Sequence, residues 1–144
     1  MRSCNDVMTP DPTCCAAGDS VVSAAEIMKI EDVGAVPVVE GENSRKLVGI
    51  ITDRDIVLEV VAERKDLAGT KIEQVMSRNL VTCRADEDVT NALDRMAQHQ
   101  VRRIPVVDPK NNVVGIISQA DVLTRLDQPE KTANVIEDIS QPVA

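Results

Sequence analysis

The chain has 144 residues, room for one ordinary domain or two very small ones. It contains no Phe, Tyr or Trp, yet 43% of its residues are hydrophobic and 28% are charged, a balance that fits a soluble globular protein with an aliphatic core. A formal net charge of −8 repels phosphate backbones, and bases find no aromatic platform to stack on, so nucleic-acid binding is not expected.

Taken in chain order, the start Met1-Arg2-Ser3-Cys4-Asn5-Asp6 has no apolar run, so a signal peptide is not expected. No apolar stretch approaches membrane-spanning length. Four cysteines, Cys4, Cys14, Cys15 and Cys83, are too few and too irregular for a disulfide scaffold. A cytoplasmic location with reduced thiols is the expectation.

Thr13–Cys15 reads as a short lone strand. Val21, Ala24, Ala25 and Met28 then follow the i, i+3, i+4, i+7 spacing of a helix, with Asp19 or Ser20 as its N-cap. Runs of β-branched residues at 35–39 and 47–52 predict two strands, separated by Gly41 and Asn43 as turn residues. A second helix begins near Asp53, with Ile56, Val57, Val60 and Val61 as its apolar positions.

The same series then returns. Val36 maps onto Ile104 at an offset of 68 residues, which also carries Val7-Met8-Thr9 onto Val75-Met76-Ser77 and Cys15 onto Cys83. Gly49 maps onto Gly115 at an offset of 66, because the loop between the two strands is shorter in the second copy. The second copy therefore predicts a strand at Val81–Cys83 and a helix with Val89, Ala92, Leu93 and Met96, capped by Asp86 or Asp88. Strands at 103–107 and 113–118 follow, with Asn111-Asn112 at the turn, then a helix from Gln119 with Val122, Leu123 and Leu126. Thr132–Ile139 reads as a short C-terminal helix. Each unit is β-α-β-β-α, an α/β (α+β) fold, and a unit of roughly 60 residues is marginal alone, so two packed with pseudo-twofold symmetry are expected.

Val7-Met8-Thr9-Pro10, Gly34-Ala35-Val36-Pro37-Val38-Val39 and Gly49-Ile50-Ile51-Thr52-Asp53-Arg54-Asp55 in the first copy resemble the motifs of a cystathionine-β-synthase-type (CBS) domain. So do Val75-Met76-Ser77, Val101-Arg102-Arg103-Ile104-Pro105-Val106-Val107 and Gly115-Ile116-Ile117-Ser118-Gln119-Ala120-Asp121 in the second. The whole is similar to a tandem pair, the Bateman module, and to its small stand-alone bacterial members, often linked to stress responses. The division expected is a first repeat over 4–64, a linker over 65–74, a second repeat over 75–126, and a tail with a short helix over 127–144.

The resemblance implies a cleft between the two repeats for an adenosine nucleotide such as AMP, ADP or ATP, with S-adenosylmethionine or NAD in some members. It also implies homodimerisation through helices, and a regulatory role exerted on an unidentified protein partner. Carried onto this chain, Thr52 and Ser118 would face phosphate while Asp55 and Asp121 hold the ribose diol. The chemistry is sound, since a carboxylate accepts both hydroxyls and a helix start attracts phosphate. Ser/Thr-x-x-Asp also approximates a capping box, which only stabilises a helix start; its recurrence in two matched copies favours binding capacity together with the cap.

Arg54 and Arg103 are candidate phosphate forks. On an alternating strand Arg103, Pro105 and Val107 share one side and Arg102 points away; surface ion pairing is the plainer role for any of these arginines. Val36, Pro37, Ile104 and Pro105 would wall an adenine, or simply serve as sheet core. Cys14, Cys15, Thr82 and Cys83 could add backbone hydrogen bonds. A nucleotide-free redox or metal-responsive module using Cys14, Cys15 and Cys83 is the competing reading, and a purely structural dimerising scaffold a third. There is one histidine, His99, no Cys-x-x-Cys and no catalytic motif, so an enzyme is not expected, and neither is a resident metal.

Overall fold

Each long helix starts where a cap residue stands. In the computed structural model, which describes residues 2–118 and Asp121, Ser20 accepts the Val22 N–H on its hydroxyl at 3.1 Å and opens helix α2, Val21–Glu31. Asp88 accepts the Thr90 N–H at 3.0 Å and opens α4, Val89–His99. Both helices close on a left-handed residue, Asp32 at φ 55° and Gln100 at φ 51°. Of the two cap candidates offered for each helix, the serine nearer the first and the aspartate nearer the second are used.

The described chain runs α1 (Cys4–Val7), β1 (Thr9–Pro10), β2 (Cys15–Ala16), α2, β3 (Ala35–Val39), β4 (Leu47–Thr52) and α3 (Asp53–Ile56). A wider π-type turn over Val57–Val61 and a 3-10 turn over Ile72–Gln74 follow, then β5 (Cys83–Arg84), α4, β6 (Arg103–Val107) and β7 (Val113–Ser118). The architecture is mixed α+β. The four long strands match the β-branched runs residue for residue. The expected helix from Gln119, with Val122, Leu123 and Leu126, and the expected helix over Thr132–Ile139 lie outside the described residues.

Two compact units result. One is Thr13–Leu80; the other combines residues up to Pro12 with residues from Val81 onward. The 13–80 unit holds a sheet in the order β2-β3-β4, β2 parallel and β4 antiparallel to β3. The split unit holds the order β1-β7-β6-β5, with β5 parallel to β6 and the remaining pairs antiparallel.

The spatial units are thus offset from the sequence repeats. Val7–Pro10 opens the first repeat, yet β1 extends the second repeat's sheet through Thr9↔Ile116. Val75–Ser77 opens the second repeat, yet Ser77 bridges to Ile50 of the first repeat's sheet. Ile72, inside the segment expected to link the repeats, is fully buried in the core of the 13–80 unit. The two methionines of these segments sit on the strand glycines: Met76 against Gly49, and Met8 against Gly115. A side chain at either glycine would collide with the methionine, so the Met-Gly contact explains both residue types in both copies.

Each helix covers one sheet face. In the 13–80 unit Cys15, Val36, Val38 and Ile51 pack with Val21, Ala24 and Ile72. In the split unit Cys83, Ile104, Val106 and Ile117 pack with Cys4, Met8, Ala92, Leu93 and Met96. The helical pattern holds fully for α4, but in α2 Ala25 is exposed where its counterpart Leu93 is buried; α2 contributes Ile27 and Met28 instead. From the last residue of α3 onward, Ile56 and Val60 enter the core, whereas Val57 and Val61 are 54% and 55% exposed. Among the described residues no helix is long and apolar enough to cross a membrane.

Candidate functional site

The strand registers sort the candidate residues onto two sheet faces. Val36 and Ile104 pair with Ile51 and Ile117 on the helix-covered face and are 1% and 0% exposed. They are core. Cys15 and Cys83 pair in parallel with Val38 and Val106 and belong to the same buried face.

The opposite face carries the polar candidates. In the split unit Arg103 lies across from Ser118, and Pro105 across from Ile116, which also pairs with Thr9. Alternation therefore puts Thr9, Arg103, Pro105, Ile116 and Ser118 on one side. In the 13–80 unit the corresponding set is Ala35, Pro37, Ile50 and Thr52, with Ser77 bridged to Ile50. Arg103 has Ala35 as its counterpart, so the face in the split unit is the cationic one. Arg54 is exposed in the first turn of α3, its backbone N–H donating to Asp53 Oδ1 at 2.8 Å.

At the end of β4, Thr52 and Asp55 form a reciprocal cap. The Thr52 N–H donates to Asp55 Oδ2 at 2.9 Å, and the Asp55 N–H donates to Thr52 Oγ1 at 3.1 Å. At the end of β7 the arrangement repeats. The Ser118 N–H and hydroxyl both donate to Asp121 Oδ2, at 3.0 and 3.1 Å, and the Asp121 N–H returns to Ser118 Oγ at 3.3 Å. The Thr9 hydroxyl also donates to Asp121, at 3.4 Å to Oδ1. Sequence reasoning missed Thr9, because its place beside Ser118 and Asp121 comes from β1 joining β7, a pairing between residues about a hundred positions apart. The cap role weighed for Ser/Thr-x-x-Asp is present in both copies, and each pair stays half-buried.

The remaining candidates flank the sheets. Cys14 is half-buried just before β2. The Thr82 carbonyl accepts Arg95 Nη1 at 3.1 Å, and Arg95 also pairs with Glu87 at 2.6 Å, which fixes the loop before β5 against α4. Cys15 donates its S–H toward the Pro37 carbonyl at 3.7 Å. Burial, then the neighbouring Cys14 and Asp19 charges, pushes the Cys15 thiol up to about 12, so it is not a nucleophile at neutral pH. Among the described residues no three His, Cys, Asp or Glu side chains come together in a way that could hold a metal ion.

Comparison with known proteins agrees with this geometry. The family model described as CBS domain matches residues 4–62 and again residues 72–128. CBS domain-containing protein YhcV of Bacillus subtilis (strain 168) is 37% identical over 140 residues, covering 97% of this chain and 96% of that protein. The crystal structure of Hypoxic Response Protein I with two coordinated zinc ions superposes with a TM-score of 0.78 at 31% identity, over 87% of this chain and 99% of that one. The CBS domain pair of protein MJ0100, in complex with 5′-methylthioadenosine and S-adenosyl-L-methionine, gives a TM-score of 0.73 at 32% identity, over 85% and 97% of the two chains. With duplicated strands, duplicated caps and a family match over both halves, the chain belongs to the CBS-domain family and carries two such domains in tandem.

Proposed function

We propose that this chain is a non-enzymatic regulatory module that binds an adenosine-containing ligand on the polar sheet faces, with AMP, ADP or ATP bound at the face in the split unit. The observation that carries this reading is the repeated hydroxyl–carboxylate turn, joined in one copy by Arg103 on the same face. Asp121 accepts three donors from Ser118 and Thr9 and offers a carboxylate suited to a ribose diol; Arg103 offers a guanidinium fork suited to phosphate. The adenosyl ligands of the MJ0100 pair support the ligand class. Pro37 and Pro105, buried on the side of their strands opposite Val36 and Ile104, would back the adenine. The corresponding face of the 13–80 unit, with Ala35 in place of the arginine, suits an adenosyl group without phosphate.

Exposed Val57, Leu58 and Val61 at the end of α3 give an apolar face for a second copy, so a cytoplasmic homodimer is the assembly we infer. A role in stress signalling to a protein partner rests on the likeness to Hypoxic Response Protein I.

Calorimetric titration with AMP, ADP, ATP and 5′-methylthioadenosine tests the reading. Binding of at least one adenosyl ligand is expected. Arg103→Ala should weaken the phosphorylated ligands roughly tenfold and leave methylthioadenosine unchanged. Absence of heat from every adenosyl ligand, in protein freed of co-purified nucleotide, would overturn the proposal and leave the redox-module and scaffold readings. Because the chain has no Trp or Tyr, the ultraviolet spectrum of the purified protein reports a co-purified adenine directly.

A further inference from the structure

The N-terminal segment is fastened to the second repeat along its backbone. The Cys4 N–H donates to the Glu87 carbonyl at 2.9 Å, the Asn5 N–H to the Ala85 carbonyl at 3.0 Å, and the Val89 N–H to the Arg2 carbonyl at 2.9 Å. Ser3 bridges to Asp88. This registry sets Cys4, on α1, facing Cys83, on β5, within one core cluster; the two are 0% and 1% exposed. Their side chains interact within that cluster. That interaction holds Cys4 below the ordinary thiol range and Cys83 above it. Burial opposes ionisation of Cys4, as do Glu87 and Asp88, while Arg95 favours it.

The adjacent cysteines are differently placed. Cys15 turns into the core of the 13–80 unit, and alternation sends Cys14 the other way. The paired thiols of this chain are therefore 79 positions apart in sequence and neighbours in the fold.

We propose that Cys4 and Cys83 are a redox modification site, closing to a reversible intrachain disulfide when hydrogen peroxide is the oxidant. The Cys4 sulfur attacks one peroxide oxygen, the O–O bond breaks, and hydroxide leaves and takes a proton as water. Cys83 then attacks the sulfur of the resulting sulfenic acid. The S–O bond breaks, and the Cys83 proton leaves with the oxygen as a second water. Two thiols are oxidised by two electrons and one peroxide is reduced to two waters. Peroxide reaches the pair when the four-residue α1 undocks. The closed form clasps the N-terminal segment, and with it Thr9 at the Asp121 carboxylate, onto the second repeat. The inference stands whether or not an adenosyl ligand binds.

The test uses the full reduced chain, treated with hydrogen peroxide, blocked with N-ethylmaleimide and cut without reductant by a protease that cleaves before Asp. Cys4 then lies in Met1–Asn5, Cys14 and Cys15 in Asp11–Gly18, and Cys83 in Asp66–Ala85. The expected product is Met1–Asn5 joined to Asp66–Ala85, two hydrogens lighter than the separate peptides and released by dithiothreitol. The melting temperature of the oxidised chain should rise by at least about 5 °C, because a long loop is closed in the unfolded state. Cys4→Ser should abolish that rise, and Cys14→Ser should keep it. The proposal is overturned if Cys4 stays fully alkylated, or if it bridges to Cys14, to Cys15 or to another molecule. The mapping on the unsubstituted chain decides the matter even if Cys4→Ser does not fold.

Discussion

Gly49→Ala should destabilise the chain by about 2 kcal/mol. An added Cβ would sit 2.5 Å from Met76 Sδ, 3.0 Å from Met76 Cγ and 3.0 Å from the Ser77 carbonyl oxygen. The thioether can swing, but the carbonyl cannot retreat cheaply. It accepts the Ile50 N–H at 3.0 Å, and the Ser77 N–H returns to the Ile50 carbonyl at 2.9 Å. Overpacking of this kind costs roughly 1–3 kcal/mol, and loosening the two-way bridge adds about 1 kcal/mol. Reduced backbone freedom relative to Gly offsets roughly 0.5–1 kcal/mol. The net figure corresponds to a fall of about 6 °C in Tm for a chain of this size. Urea melts followed by circular dichroism would measure it, alone and with Met76→Ala. If the clash is the cause, shortening Met76 relieves it, and the double variant departs from additivity by at least about 1 kcal/mol. A neutral Gly49→Ala, or strict additivity with Met76→Ala, would refute the close approach of the two segments.

Thr52→Ala should cost about 1 kcal/mol by removing the cap of α3, and Thr52→Ser should restore it; denaturant midpoints check both. Asp108 accepts the Asn112 and Lys110 N–H groups at 2.9 and 2.8 Å, which holds its carboxyl below the usual range, with burial working against it. Its contribution is present above the unfolded carboxylate value of about 3.9 and is lost as pH falls through the lower folded value. Asp108→Asn should therefore flatten the acid limb of the stability profile below about pH 4, read from urea midpoints. Timed alkylation of the native chain at pH 7.5 should modify Cys14 ahead of Cys15, whose thiol is buried and pushed up to about 12; equal rates would contradict the burial.

The four long strands and two long helices were legible because their signals are local. Val36, Val38 and Ile51 alternate at the period of a strand, and Val89, Ala92, Leu93 and Met96 recur at that of a helix. The hydroxyl–carboxylate turns were legible for the same reason, since three residues separate the partners. What depended on distant pairing was not. Thr9 reaches Asp121 only because β1 joins β7, and Cys4 meets Cys83 only because α1 docks beside β5. Val36 and Ile104 stand one residue from Pro37 and Pro105, so composition could not tell which of them the helices cover; the register with Ile51 and Ile117 does. The run Ile56–Val61 holds five apolar residues, and only tertiary packing selects Ile56 and Val60 for burial.

The split unit has a consequence for synthesis. A ribosome releases Cys4, Val7 and Met8 first, but the strand that β1 pairs with, β7, ends at Ser118. At typical elongation rates these buried-to-be residues wait roughly five to twenty seconds for a partner, while the intervening 13–80 unit has all its strands in hand. This arm is made before the 13–80 unit and docks after it. For that interval it is an unpaired, apolar β-edge segment, the kind of surface that a chaperone, or a second nascent copy of the same chain, can occupy.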